Sequence, residues 1–98
     1  MAKRIVWTFR AIQKRREILE YWFQRTGNKK YSRKLANQFR ETTLYISENQ
    51  YLGRATSIPD VRISICGNYL IVYKVYTDFI EILTIFDSRQ NPEKLIIE

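Results

Sequence analysis

Lys14, Arg15, Arg16, Lys29, Lys30, Arg33 and Lys34 fall in two tight clusters within the first forty residues. The chemistry open to such clusters is the binding of anions, either carboxylates on a protein or phosphates on a nucleic acid. Residues 1–40 hold twelve Lys/Arg against two Asp/Glu, and residues 41–98 hold five against eight, so one pole carries an excess of ten positive charges. A local excess of that size is more than solubility needs, although a solvated helix face remains the simpler alternative. Arg15 and Arg16 border an apolar arc, where their stems can lie along the core with only the heads in water.

Histidine is absent, which removes the usual general base and the commonest metal ligand together. No metal site and no cofactor is expected, and any catalysis would run on Lys, Arg, Tyr, Asp or Glu. Cys66 is the lone cysteine, and its place in a strand pattern marks a buried, inert thiol. Arg62 stands among small polar side chains on what reads as the open face of a sheet. It either contacts an anion or a partner's carboxylate, or pairs with Glu81 or Asp87. Tyr69, Tyr73 and Tyr76 could stack on bases, but at least two of them are expected to pack.

Ninety-eight residues suffice for one domain, residues 1–98, able to bury roughly 60–65% of the unfolded surface. Apolar runs of four or five residues fall far short of the ~20 that cross a bilayer, so no membrane partner and a cytoplasmic location are expected. Lys3 to Thr8 reads as a short strand, and Thr8 as the N-cap of a helix from Phe9 to about Arg25. Ala11, Ile12, Ile18, Leu19, Trp22 and Phe23 form its apolar face, and Gly27-Asn28 ends it. A second helix runs from near Asn28 to about Ser47, with Tyr31, Leu35, Phe39, Thr42 and Ile46 as its buried stripe. Leu44 lies off that stripe, exposed, and is either a contact for another chain or a lone surface leucine.

Asn49 to Asp60 lacks periodicity and reads as a loop, followed by strands over Val61–Cys66, Tyr69–Tyr76 and Phe79–Phe86 joined by two-residue hairpins. The middle strand is apolar on both sides, with Leu70, Val72 and Lys74 on the side away from Tyr69, Ile71, Tyr73 and Val75. Helices cover only one side. The other is expected to receive either a partner or the chain's own tail, with Leu95, Ile96 and Ile97. The fold class is α+β, in the order β-α-α-β-β-β, with an N-terminal helical hairpin packed on a small, mainly antiparallel sheet.

Several strings resemble the RelE/ParE family of bacterial toxins. Arg4-Ile5-Val6-Trp7-Thr8 resembles the family's opening strand, Tyr51-Leu52-Gly53-Arg54 its loop after the second helix, and Tyr69-Leu70-Ile71-Val72-Tyr73 its central strand. Ile80-Glu81-Ile82-Leu83 resembles the last strand, and Asp87-Ser88-Arg89-Gln90-Asn91-Pro92 an ending found in a ParE-like branch. The resemblance implies the toxin of a type II toxin–antitoxin system, neutralised by a cognate antitoxin that wraps it. Leu44, Leu70, Val72 and Lys74 are then candidates for the antitoxin contact. The two cationic clusters, with Arg54, Arg62 and Arg89, are candidates for binding the target or another anion.

RelE-like members cleave messenger RNA in the ribosome with basic residues on the sheet. Against that pattern Arg62 can stand for one of two lysines, Ser64 replaces the other, Leu70 occupies an arginine position, and Arg89 can match the last arginine. No tyrosine or histidine follows it. Loss of one oriented donor costs roughly 3–4 kcal/mol of transition-state stabilisation, so a chain lacking two cations and a proton-transfer group should cleave poorly. The resemblance therefore favours the ParE-like branch, whose members poison DNA gyrase and need no catalytic residues. Ribosome and mRNA are the alternative target, with Arg62 and Arg89 as the only catalytic candidates. An inactive toxin-derived binding protein is a further alternative.

Overall fold

The computed structural model describes residues 2–89. Five strands, β1 (Arg4–Trp7), β2 (Arg54–Ala55), β3 (Val61–Cys66), β4 (Tyr69–Val75) and β5 (Phe79–Asp87), form one sheet in the order β1-β5-β4-β3-β2. Helices α1 (Phe9–Thr26) and α2 (Lys30–Glu48) form a hairpin against one side of it. The expected α+β architecture stands, with one added element: β2, paired antiparallel with β3, interrupts the segment expected to be all loop. Strand β1 pairs with β5 in parallel, Ile5 opposite Ile80 and Trp7 opposite Ile82, while the other pairings are antiparallel.

Helix α1 starts where Thr8 Oγ1 accepts the Ala11 N–H at 3.0 Å, satisfying one of the first-turn donors that no helical carbonyl reaches. It ends at Gly27, whose φ of 77° suits a residue without a Cβ and whose N–H returns to the Phe23 carbonyl at 2.9 Å. Side-chain bonds then fix both helices to the sheet. Trp22 Nε1 donates to Tyr69 Oη at 2.7 Å, Thr42 Oγ1 to Cys66 Sγ at 3.2 Å, and Ser47 Oγ to the Lys3 carbonyl at 2.6 Å.

Between the layers lies a core of Leu35, Phe39 and Ile46 from α2 against Ile71, Tyr73, Ile80, Ile82 and Ile85. The α2 stripe expected from its spacing is the one that packs, and Tyr69 and Tyr73 are buried as anticipated for two of the three tyrosines. Leu44 is 53% exposed. The tail residues Leu95, Ile96 and Ile97 lie outside the described residues.

Register corrects the reading of β3. Gly67, at φ 60°, begins the turn that sets Cys66 opposite Tyr69, Ser64 opposite Ile71 and Arg62 opposite Tyr73. Paired residues share a face, so Arg62, Ser64 and Cys66 lie on the helix side, and the apolar Val61, Ile63 and Ile65 on the open side. Arg62 is therefore absent from the open face on which it was expected.

Candidate functional site

The basic hairpin presents its cations outward. Arg16, Lys29, Lys30, Arg33 and Lys34 are exposed, and Arg15 is half-buried. Lys14 stands 4.0 Å from Glu17, one turn along the helix, a surface pairing of small energetic weight. Four of these residues, Arg15, Arg16, Lys29 and Arg33, converge on a cleft of about 330 Å³ between α1 and α2. Lys14, Lys30 and Lys34 do not line it. Arg40 is a further cation, seven residues after Arg33 and so on the same helical face, that charge clustering alone does not single out. It lines a second hollow that shares Ile12 and Arg15 with the first.

Around Gly53 the geometry is tight. Arg62 Nη1 donates to the Gly53 carbonyl at 2.7 Å, and its guanidinium lies 4.9 Å from the centre of the Tyr51 ring. Tyr73 Oη accepts the Gly53 N–H at 2.9 Å and donates to the Gln50 carbonyl at 2.9 Å. Burial pushes the Tyr73 phenol above its ordinary pKa, opposed by the Gly53 N–H and then by the Arg62 charge. The ion-pair alternative for Arg62 is thus replaced: it pairs neither with Glu81 nor with Asp87, and its Nη1 fastens the loop after α2. That loop displays Tyr51 at 64% and Leu52 at 48% exposure, a feature the reading of that segment did not isolate.

Positions that would build a nuclease do not converge. Ser64 is buried on the helix side beside Arg62, whereas Leu70, opposite Ile65, lies on the other face. Arg54, opposite Ile63, lies on the open face too. Arg89 holds Asp87 through Nη2–Oδ2 at 2.9 Å and Nε–Oδ1 at 3.0 Å, and its backbone N–H reaches Oδ1 at 2.9 Å. Those bonds hold the Asp87 carboxyl below its ordinary pKa. Asp87 fixes the turn by accepting all three of these bonds. Residues 90–92, the rest of that string, lie outside the described residues.

The open face is less bare than expected. Val72 is completely buried, in a small cluster with Val61 and Leu83 flanked by Ile58 and Ile63, which removes it as an exposed contact. Leu70 and Lys74 are half-buried there, and Ile65 is 69% exposed. Cys66 is a free, buried thiol, its pKa raised first by desolvation, opposed by the Thr42 hydroxyl. Among the described residues no group of three or more acidic or cysteine side chains is placed to hold a metal, and no helix is long and apolar enough to cross a membrane.

The fold is shared with solved toxins. A structure described as the chromosomal ParDE toxin–antitoxin system from P. aeruginosa superposes with a TM-score of 0.75 at 21% identity, covering 88% of this chain and 96% of that one. The YoeB dimer from Staphylococcus aureus matches at 0.62 and 15% identity over 88% of this chain and 97% of its own. The E. coli DinJ–YafQ toxin–antitoxin complex matches at 0.58 and 8% over 91% and 96%. No curated protein sequence matches the chain. The sequence model for the ParE toxin of the type II toxin–antitoxin system parDE matches residues 5–92, nearly the whole length. With the two-helix hairpin on its mixed sheet, this match makes the chain a member of the ParE toxin family of type II toxin–antitoxin systems.

Proposed function

We propose that this ParE-family toxin arrests growth by inhibiting DNA gyrase in the cytoplasm and is held inactive by a cognate antitoxin. The observation that carries the reading is the employment of Arg62. A guanidinium bonded to the Gly53 carbonyl at 2.7 Å, with its carbon 4.9 Å from the centre of the Tyr51 ring, is fastened to the loop after α2, and Arg62 lies on the helix side of the sheet, on the face opposite Leu70. Ser64 beside it is buried and uncharged, and Leu70 is apolar and on the opposite face. A protein that acts by binding needs none of these as catalysts, while its cationic hairpin and exposed loop residues Tyr51, Leu52 and Arg54 supply contact surface.

The test is a supercoiling assay with purified gyrase, relaxed plasmid and ATP. Inhibition at stoichiometric toxin, relieved by the antitoxin, is the expected result. Normal supercoiling at large excess, together with codon-linked cuts in translated messages, would replace this reading with the ribosome-dependent endoribonuclease.

A further inference from the structure

Tyr51 and Leu52 are held out into solvent between two fixed points. The Gln50 carbonyl accepts the Tyr73 hydroxyl at 2.9 Å, and the Gly53 N–H donates to the same oxygen at 2.9 Å, so one buried phenol clamps both ends of the pair. The Arg62 guanidinium lies over the Tyr51 ring, 4.9 Å from its centre, and the Leu52 N–H returns to the Asn49 carbonyl at 3.0 Å. Exposed apolar side chains on a loop tied down in this way lose little freedom when a partner covers them.

The exposure is concentrated here. Of the eight large apolar side chains left exposed among the described residues, four fall between residues 44 and 52. Tyr45, 66% exposed, follows Thr42 by three residues, and Thr42 Oγ1 reaches Cys66 of β3. Tyr45 therefore lies on the flank of α2 nearest the strand whose Arg62 backs Tyr51. Two exposed tyrosines on one edge have the aromatic composition in which protein interfaces concentrate their binding energy.

Charge sets this edge apart from the rest of the molecule. Glu41 and Glu48 share a helical face with Tyr45, four residues before it and three after. With Asp60 they are exposed, Arg54 is the one cation between residues 41 and 60, and among the described residues none of the four is in an ion pair. The stretch carries an excess of two negative charges in a chain of net charge +7. Phosphate backbones and acidic polypeptides are drawn instead to residues 1–40, and the net charge of a second copy opposes self-association. An aromatic surface with a carboxylate rim suits a protein whose own rim is cationic. Enzymes that hold DNA are of that kind, since lysines and arginines line the surfaces on which phosphates lie.

We infer that Tyr45, Tyr51 and Leu52 form the surface by which the toxin docks on the protein part of gyrase, with Glu41 and Glu48 facing lysines or arginines of the enzyme. The inference rests on the gyrase reading and adds the residues and the chemistry of the contact. The apolar side chains would set the lifetime of the complex, and the carboxylates its rate of formation.

Purified gyrase is the probe, with binding followed by fluorescence anisotropy of the whole chain labelled at its amino terminus, and inhibition by supercoiling of relaxed plasmid. Tyr51→Ala with Leu52→Ala should weaken both by about tenfold or more, while the polypeptide encoded beside this gene still binds within about threefold of wild type. Tyr51→Phe keeps a ring over Arg62, and Phe9→Ala removes a more exposed ring elsewhere, so both should stay within about threefold. Glu41→Lys with Glu48→Lys leaves every apolar group in place and should weaken gyrase binding about tenfold at low salt and less at high salt. Undiminished binding in both double variants, or tighter binding with the two lysines, would overturn the inference and leave the gyrase reading intact. A double alanine variant that keeps gyrase but loses the neighbouring polypeptide, a 20-mer single-stranded oligonucleotide or self-association would assign the loop to that partner and overturn it too. A wild-type chain that neither binds gyrase nor slows supercoiling would overturn both.

Discussion

Arg62 Nη1 stands 2.7 Å from the carbonyl oxygen of Gly53, nine residues earlier in the chain. The bond closes the loop after α2 onto β3 and gives a structural task to the cation that best matched a nuclease position. An ideal Cβ on Gly53 would sit 2.8 Å from the Ile63 carbonyl oxygen and 2.8 Å from Tyr73 Oη, so only glycine fits beneath the guanidinium.

Gly53→Ala should lower stability by about 1–3 kcal/mol, since one of the opposing atoms is backbone and cannot rotate away. Arg62→Ala should cost about 1–2 kcal/mol through the lost charged hydrogen bond. Urea unfolding of both variants checks the pair; wild-type midpoints would remove the fastening role.

Tyr73→Phe removes one acceptor and one donor at once, stranding the Gly53 N–H and the Gln50 carbonyl. A loss of about 1–3 kcal/mol follows from leaving such groups unpaired. Hydrogen exchange at the Gly53 amide should accelerate more than exchange in α1.

Thr8→Ala should destabilise by about 1–2 kcal/mol through loss of the helix cap. The same hydroxyl reaches the Ile82 carbonyl at 2.9 Å, so the substitution loosens α1 from β5 as well. Thr8→Ser keeps both oxygen contacts, and thermal melts should show it recovering most of the loss.

Stability should fall on the alkaline side. Burial raises the pKa of Cys66, Tyr69 and Tyr73 in the folded chain. Below their unfolded pKa values both states hold these protons and the contribution is whole. Above about pH 9–10 the unfolded chain releases them first, so stability drops as pH rises through the folded values. Urea midpoints between pH 7 and 11 should decline, and the slope should be shallower in Tyr73→Phe. For Asp87 the sign reverses: its pKa is lowered by Arg89, so its contribution is present above its unfolded value and fades as pH falls.

The helices were legible because their apolar spacing repeats over four turns and their ends carry Thr8 and Gly27, whose roles are local. Strand β2 was hidden because two residues, Arg54 and Ala55, are too short for alternation to register. Alternation also groups side chains by face without saying which face meets the helices, so by alternation alone Arg62 reads as lying on the open side. A two-residue turn at Gly67-Asn68 fixes Cys66 against Tyr69, which ties Arg62 to the Tyr73 side. The cationic cleft was harder to foresee, since it depends on how α1 and α2 cross, and Ser32 and Ala36 carry no signal of their own.

The most direct measurement is recovery of gyrase covalently trapped on DNA from cells in which the toxin is induced, with primer extension on the same cultures. The account predicts trapped gyrase and intact messages, unchanged when Arg62 is replaced by lysine in a folded variant. Messages cut in ribosome-bound regions, with gyrase free of DNA, would contradict it.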